Sequence, residues 1–187
     1  APLEKAWLPI EGNGFLYIYC LWVSGKFKGH GYGKQLLEYV INDAKKEGKQ
    51  GVCVISSKKK KSYLADKKFF LKYGFEVVDQ IEDYELLSLS FNHQKPSFCK
   101  NVKQMMIDSN HITIYYSPQC PFTLNCIYEI KEYMKDCNIQ FDFIKVDTLE
   151  KAKNIPCIFN NWAVFKNGKY VSHILLNKKG FEKLLND

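Results

Sequence analysis

The chain has 187 residues, of which 46% are hydrophobic and 25% are charged, and its formal net charge is +7. This length allows one domain or two small ones, and the absence of a signal peptide or of an apolar run of about 18 residues predicts a soluble, cytoplasmic protein without membrane contact. Every one of the 27 basic residues is lysine. Because base recognition favours the arginine fork, this composition argues against sequence-specific nucleic-acid binding.

The seven cysteines are an odd number in a chain long enough to bury a core. They form neither a Cys-x-x-Cys pair nor a zinc-ligand spacing. We therefore expect mostly buried thiols in a reducing compartment, and no metal site.

The first strong pattern is a strand, a glycine-rich turn and a helix. The apolar run at 15–23, FLYIYCLWV, predicts the strand, and apolar residues at helical spacing predict a helix over 32–47. Between them, Gly29, Gly31 and Gly33 allow a sharp bend that brings backbone N–H groups close to a ligand. Because a helix N-terminus adds its dipole at the same point, this stretch predicts a phosphate or pyrophosphate site.

A second strand is predicted over 51–57, GVCVISS, so that strand, helix and strand form a right-handed parallel crossover. The four lysines at 58–61 are interpreted as a solvated loop, with a role beside an anionic ligand as the alternative. A helix is then predicted over 62–73, and strands are predicted over 74–83 and 85–91.

The rest of the chain has a different pattern. Residues 92–110 mix proline, polar and apolar residues, and we interpret them as a connection that carries a short helix around 102–106. From residue 111 the predicted order is β-α-β-α-β-β-α. The predicted segments are a strand at 111–117, a helix from Pro121 to about Cys137, a strand at 141–147, a short helix, strands at 157–165 and 170–175, and a helix at 179–185.

The glycine-rich stretch resembles the acetyl-coenzyme A signature of the GNAT acetyltransferase superfamily, Arg/Gln-x-x-Gly-x-Gly/Ala after a strand. The matching residues are Val23, Lys28-Gly29-His30-Gly31-Tyr32-Gly33 and Leu36-Leu37. The run Phe69-Phe70-Leu71-Lys72-Tyr73-Gly74-Phe75 resembles the second GNAT motif, a helix that ends in two aromatic residues followed by Gly-Phe. The resemblance covers residues 15–91, and it implies transfer of an acetyl group from acetyl-coenzyme A to an amine by direct attack on the thioester.

The resemblance also implies which residues bind the cosubstrate. Backbone groups of Leu21 and Val23 would hold the pantetheine arm and the acetyl oxygen. Lys28 stands where the family usually has Arg or Gln, so it keeps the charge and loses the bidentate fork. The implied acetyl-coenzyme A-binding residues are Leu21, Val23, Lys28, Gly29, His30, Gly31, Tyr32, Gly33 and Lys34.

The proton donor to the leaving thiolate departs from the family pattern. Many GNAT enzymes use a tyrosine at the position that Phe70 holds here, and phenylalanine cannot donate a proton. Tyr63, two helical turns earlier, and Tyr73, three residues later, are the candidate general acids. Protonation by water, or a domain that binds coenzyme A without efficient transfer, would also account for this departure.

The beginning of the chain also departs from the family. The GNAT fold usually has a strand, two helices and two further strands before the signature strand, and 14 residues precede Phe15 here. We therefore expect either a fragment or a fold whose N-terminal, acceptor-binding part is absent. The edge of the signature strand would then be covered by residues 1–14, by another chain, or by nothing stable.

The order from residue 111 resembles the thioredoxin fold. Cys120 falls at the position of that family's nucleophile, Thr123 at the position of its second cysteine, and Ile155-Pro156 at its cis-proline. A helix N-terminus lowers a thiol pKa, so Cys120 would be a monothiol redox residue, and Cys157 would resolve a disulfide only if it turned toward Cys120. A GNAT core joined to such a domain resembles the YoaP-like acetyltransferases.

These predictions define an α/β chain with a partial GNAT mixed sheet at 1–91, a linker at 92–110 and a thioredoxin-like domain at 111–187. The predicted function is acetyl-coenzyme A-dependent N-acetylation of an unknown amine acceptor. The alternatives are a monothiol redox protein that uses Cys120 and a non-catalytic coenzyme A-binding protein. A homodimer is considered as a further partner, and neither nucleic acid, membrane nor metal is expected.

Overall fold

The computed structural model of the chain describes residues 1–135 and 139–186. The chain divides into two compact units, the first formed by residues 1–6 and 10–99 and the second by residues 7–9 together with those from 100 onward. Both units combine helices with mixed sheets, which confirms the predicted α/β class. The predicted functional domains at 1–91 and 111–187 stay a prediction. Among the described residues, no helix is both long enough and apolar enough to cross a bilayer.

The first unit is built on a four-stranded sheet. Its strands and α-helices are β1 (Ile10–Glu11), β2 (Phe15–Tyr17), α1 (Tyr32–Lys46), β3 (Gly51–Ser57), α2 (Lys67–Lys72), β4 (Glu76–Ile81), β5 (Tyr84–Ser90) and β6 (Ser97–Phe98). The main sheet has the order β2-β3-β5-β4, in which β2 is parallel to β3 and the other pairs are antiparallel. The short strands β1 and β6 form a separate antiparallel pair.

Helix α1 connects the two parallel strands, as the sequence predicts. Its apolar residues recur at helical spacing, and Leu37 and Ala44 are fully buried against the sheet. The helix ends at Lys46, and Gly48 follows it with a φ of 63°, a left-handed conformation that glycine adopts without strain. Helices α1 and α2 share one core on the same face of the sheet, formed by Leu16, Ile18, Leu37, Ala44, Val52, Val54, Phe70, Phe75 and Leu87.

Helix α2 is shorter than the predicted helix at 62–73. It begins at Lys67 because Asp66 is its N-cap, and the Asp66 carboxylate accepts hydrogen bonds from the backbone N–H groups of Lys68 and Phe69 at 3.0 and 3.3 Å. Tyr63 precedes this cap and has a φ of 64°, outside the helical region. The prediction that Tyr63 lies on the helical face of Phe70 is therefore wrong.

Strand β2 is also shorter than predicted, because it ends at Tyr17 rather than at Val23. Its outer edge is covered at this point by the first residues of the chain. Pro2 forms an antiparallel bridge to Leu16, and the Tyr17 N–H donates to the Ala1 carbonyl at 2.7 Å. Of the three expected ways to cover this edge, the structure has the one provided by the N-terminal segment.

The second unit contains the strands and α-helices β7 (Ile112–Tyr116), α3 (Pro121–Met134), β8 (Phe141–Lys145), α4 (Leu149–Asn154), β9 (Trp162–Lys166), β10 (Lys169–Ser172) and α5 (Lys178–Asn186). This is the predicted β-α-β-α-β-β-α order. The sheet has the order β10-β9-β7-β8, with β7 parallel to β8 and β9 antiparallel to both of its neighbours. The predicted end of α3 at Cys137 lies outside the described residues.

The sheet of the second unit buries a core on each face. One core joins α3 and α5 through Ile114, Trp162, Val164 and Phe181, and the other contains Ala163, Phe165, Phe159 and Cys157 together with Ala152 of α4. Neighbouring residues of β9 alternate between the two cores, as strand geometry requires.

The proline expected to be cis is trans. The structure has no cis peptide bond among its described residues, and this includes the bond between Ile155 and Pro156. The side-chain amide of Asn101 donates to the Ile155 carbonyl at 2.8 Å, and the Met105 N–H donates to the Pro156 carbonyl at 2.8 Å. The cis-proline implied by the thioredoxin resemblance is therefore wrong.

Candidate functional site

The glycine turn, residues 29–34, forms an open backbone loop at the start of α1. Gly29 and Gly31 have φ values of 84° and 78°, and Gly31 caps the helix without help from any side chain. A Cβ added at either position would meet no atom within 4 Å, so the space in front of this backbone is open. Only glycine adopts both conformations at little cost, and this explains why the turn is so rich in glycine.

The backbone N–H groups of the glycine turn are available to a ligand. Within the described part of the chain, none of the N–H groups from Gly29 to Lys34 donates to a protein acceptor, and the first that does is the Gln35 N–H, which bonds the Gly31 carbonyl at 3.1 Å. Six N–H groups without a protein acceptor therefore lie at the N-terminal end of a 15-residue helix, where the helix dipole is positive.

The charge around the turn is positive. No Asp or Glu occurs between residues 12 and 37, whereas Lys26, Lys28 and Lys34 lie in or beside the turn. Lys34 lies 3.5 Å from the Glu38 carboxylate, but both side chains are more than half exposed, so this pair is weak. His30 is also exposed, and its ring lies 6.1 Å from the Tyr32 ring. The turn thus suits an anion.

Three elements meet beside the turn. The ideal Cβ position of Gly33 lies 3.7 Å from the Phe69 ring of α2 and 3.9 Å from the Leu21 side chain. Tyr73 is the C-cap of α2, and its ring centre lies 5.0 Å from that of Phe69. The structure therefore brings the turn, Leu21 and Tyr73 into one neighbourhood, with Phe69 between them.

Tyr63 does not join this group. Its side chain is 60% exposed, and it lies in the loop before α2 rather than on the helix. Phe70 is 2% exposed and packs edge-to-face on Phe75 at 5.0 Å. Of the two candidate general acids, only Tyr73 contacts the aromatic residue that borders the glycine turn.

Strands β2 and β3 stop pairing after Ile18. The last backbone hydrogen bond between them runs from the Ile18 N–H to the Cys53 carbonyl at 3.0 Å, and the chain bends at Tyr19. Strand β3 continues to Ser57, four residues beyond Cys53. We call this divergence, between residues 19–24 and residues 54–57, the fork.

Buried polar groups lie at the carboxyl end of β3, and sequence reasoning missed them. The Ser56 hydroxyl donates to the Ala65 carbonyl at 2.7 Å, and Lys67 forms an ion pair of 2.7 Å with Glu85, which is 3% exposed. In the described part of the chain, the second carboxylate oxygen of Glu85 has no hydrogen-bond partner. An acidic residue in the otherwise uncharged run ELLSLS was the available signal, because a buried carboxylate requires a partner.

An apolar groove borders the turn, because Tyr32 belongs to both. It has a volume of about 600 Å³ and is lined mainly by aromatic and aliphatic side chains. Its lining residues are Trp22, Val23, Ser24, Phe27, Tyr32, Gln35, Leu36 and Tyr39. Val23 and Tyr32 thus belong both to the predicted cosubstrate-binding set and to this groove.

Cys120 lies in the second unit, as the N-cap of α3, and its side chain is partly exposed. Thr123, three residues later, is fully buried. Cys157 belongs to the core on the α4 side of the sheet, whereas α3 packs on the opposite face. This position does not support a resolving role for Cys157. The redox role of Cys120 stays a prediction.

Burial raises the pKa of the Cys157 thiol well above its ordinary value. In the unfolded chain this thiol ionises near pH 8.5, so folding favours the protonated form, and the stabilisation is lost as the pH rises above that value. We expect the free energy of unfolding to fall more steeply between pH 8 and 10 in the wild type than in Cys157→Ala, by up to about 1 kcal/mol per pH unit. Urea denaturation at several pH values measures how the free energy of unfolding of each protein depends on pH. An equal dependence in both would contradict the raised pKa of Cys157.

Comparison with known proteins agrees with this geometry. Residues 5–77, which include the glycine turn, the fork and α2, match the family model described as an acetyltransferase (GNAT) domain. The class defined by the first unit is therefore that of the GNAT acetyltransferases. Residues 140–183 match the model described as YoaP-like. No solved structure matches the chain.

A relative extends the match to almost the whole chain. Over 188 residues, the chain is 40% identical to a protein of Bacillus subtilis (strain 168) that is called an uncharacterized N-acetyltransferase YoaP. The alignment covers 99% of this chain and 75% of the relative. The chain belongs to the YoaP-like GNAT acetyltransferases, which confirms the predicted class, while the roles of the individual site residues stay predictions.

Proposed function

We propose that the chain is an N-acetyltransferase that binds acetyl-coenzyme A at the glycine turn and in the fork. The observation that carries this proposal is the set of six backbone N–H groups of residues 29–34, which have no acceptor among the described residues and lie at the start of α1, beside open space at Gly29 and Gly31. Such a set of donors suits a pyrophosphate. The cosubstrate supplies the acetyl group as a thioester, and an amine is the acceptor.

The orientation of Leu21 supports its role in holding the pantetheine arm. In a regular strand, Leu21 would face the opposite side from Ile18. After the bend at Tyr19, however, Leu21 packs against the same core as Ile18. Leu21, and Val23 two residues on, belong to the segment after β2 that forms no strand. Both residues would offer backbone hydrogen bonds within the fork.

Tyr73 is the better candidate for the proton donor to the departing thiolate. It lies next to Phe69, which borders Gly33, whereas Tyr63 is exposed in a loop. A phenol placed beside the thioester would protonate the sulfur as the amine attacks. Amide donors at Leu21 and Val23 would stabilise the oxyanion that forms on the acetyl carbonyl.

Lys28 is expected to contribute an exposed charge to pyrophosphate binding. We expect Lys28→Ala to weaken acetyl-coenzyme A binding by roughly 3-fold to 10-fold at low salt, and the difference should shrink as ionic strength rises. Lys28→Arg should retain the affinity, because its fork matches a phosphate. Lys46→Ala removes the same charge at the other end of α1 and is the control. Titration calorimetry at two salt concentrations measures the effect, and an equal loss in both alanine variants would count against a specific contact.

Acetyl transfer to a panel of amines tests the proposed function. Product formation should be followed by mass spectrometry, because the cysteines of the chain would react with a thiol reagent. Acetylated product that depends on protein and acetyl-coenzyme A supports the proposal. Binding of coenzyme A without any product would favour the non-catalytic alternative, which the buried Phe70 also suggests. Absence of binding would exclude both.

A further inference from the structure

The strand register shows that Ile55 faces the fork. In β3, Cys53 accepts the last hydrogen bond from β2, and the peptide groups of a strand alternate between its two neighbours. The peptide groups of Ile55, two residues further on, therefore point to the same side as those of Cys53. Beyond Ile18, however, the backbone of β2 has turned away, so Ile55 needs other partners.

Both peptide groups of Ile55 have such partners. Its carbonyl accepts a hydrogen bond from the Ala65 N–H at 3.4 Å. Its N–H donates to the side-chain hydroxyl of Tyr17, the last residue of β2. If the two strands continued to pair, a backbone carbonyl of β2 would accept this hydrogen bond. In the structure, a side-chain hydroxyl of β2 accepts it instead.

Tyr17 is held firmly in this position. Its side chain is 2% exposed, and its ring lies edge-to-face on Tyr19 at 4.9 Å. Burial, with a smaller contribution from nearby Cys53, raises the pKa of Tyr17 well above its ordinary value, although the Ile55 hydrogen bond opposes this shift. The hydroxyl therefore stays protonated at neutral pH and keeps a lone pair for the Ile55 N–H.

We infer that Tyr17 is a positioning residue that keeps the fork open by satisfying the Ile55 N–H. This inference rests on the proposed function, because the fork is the place where the pantetheine arm would lie. An unpaired Ile55 N–H would favour closure of residues 19–24 onto β3. With Tyr17 in place, the peptide groups of Leu21 and Val23 remain available to the arm.

Tyr17→Phe tests the inference, because it removes one oxygen and keeps the ring. We expect the Ile55 amide hydrogen to exchange at least about 10-fold faster in this variant. The Michaelis constant for acetyl-coenzyme A should rise by roughly 10-fold, with kcat changed less than about 2-fold, because only binding is affected. Tyr128→Phe removes an exposed phenol on α3, outside the fork and the glycine turn; it is the control and should change neither quantity by more than about 2-fold.

If Tyr17→Phe does not fold, the exchange rate of the Ile55 amide hydrogen in the wild type tests the inference by itself. The Ile55 amide must then exchange as slowly as the amides paired within β3 and β5, and exchange as fast as that of the exposed glycine turn would overturn the inference. Equal Ile55 exchange in wild type and Tyr17→Phe would overturn it as well, and so would faster exchange with an unchanged Michaelis constant. If the wild type does not bind coenzyme A, the proposed function fails, whereas the two exchange measurements still judge the role of Tyr17 at the fork.

Discussion

Replacing Gly31 with valine is expected to weaken acetyl-coenzyme A binding by at least about 100-fold. Gly31 has a φ of 78°, and a β-branched residue is strongly disfavoured there. The turn would have to change its conformation, and the N–H groups of residues 29–34 would lose their present arrangement. Loss of one or two charge-assisted hydrogen bonds, each worth about 1.5–3 kcal/mol, accounts for this factor. Titration calorimetry measures it directly.

Two matched controls separate loss of the site from damage to the helix. Gly25→Ala places a methyl group in the neighbouring loop, where φ is ordinary and no atom lies within 4 Å. Gly48→Ala imposes the same left-handed strain at the other end of α1. We expect both to bind within about 3-fold of wild type. Normal binding by Gly31→Val would remove the glycine turn from the proposed site.

Tyr73→Phe is expected to lower kcat by about 100-fold and to leave the Michaelis constant for acetyl-coenzyme A nearly unchanged. A positioned general acid typically contributes a factor of this size. The variant keeps the ring that packs on Phe69, so α2 should remain in place. Steady-state kinetics with one amine acceptor measures both constants.

Tyr63, the other candidate general acid, provides the comparison for Tyr73. Tyr63→Phe should change kcat by less than about 3-fold, because this side chain is exposed and lies outside the helix. Tyr128→Phe, on the exposed surface of α3, controls for the loss of a phenol elsewhere. If Tyr63→Phe lost the activity and Tyr73→Phe kept it, the assignment of the proton donor would be reversed.

The strand–turn–helix order was predictable because it depends on local patterns. The periodicity of 32–47 and the glycines before it placed α1 to within one residue of its observed end at Lys46. The extent of β2 was not predictable in the same way. The apolar run continues to Val23, but the strand ends at Tyr17. Beyond that residue the Tyr17 hydroxyl, rather than the backbone of β2, accepts the hydrogen bond from the Ile55 N–H. This side-chain contact has no signature in the sequence.

The start of α2 shows a signal that was present and missed. Asp66 is a favoured N-cap residue, and it marks the first residue of the helix more accurately than the aromatic spacing from Tyr63 does. This error placed Tyr63 on the helix and made two tyrosines look equivalent. The ion pair of Lys67 with Glu85 depends on the pairing of β5 with β3, a long-range contact that spacing alone does not predict.

The central claim is that the backbone N–H groups of residues 29–34 bind the pyrophosphate of acetyl-coenzyme A. Titration of the ¹⁵N-labelled protein with coenzyme A tests it most directly, because each of these amides gives its own signal. We predict that the largest shifts fall on Gly29, Gly31 and Gly33, with smaller shifts at Leu21 and Val23. Saturable binding that leaves the glycine amides unmoved would contradict the account.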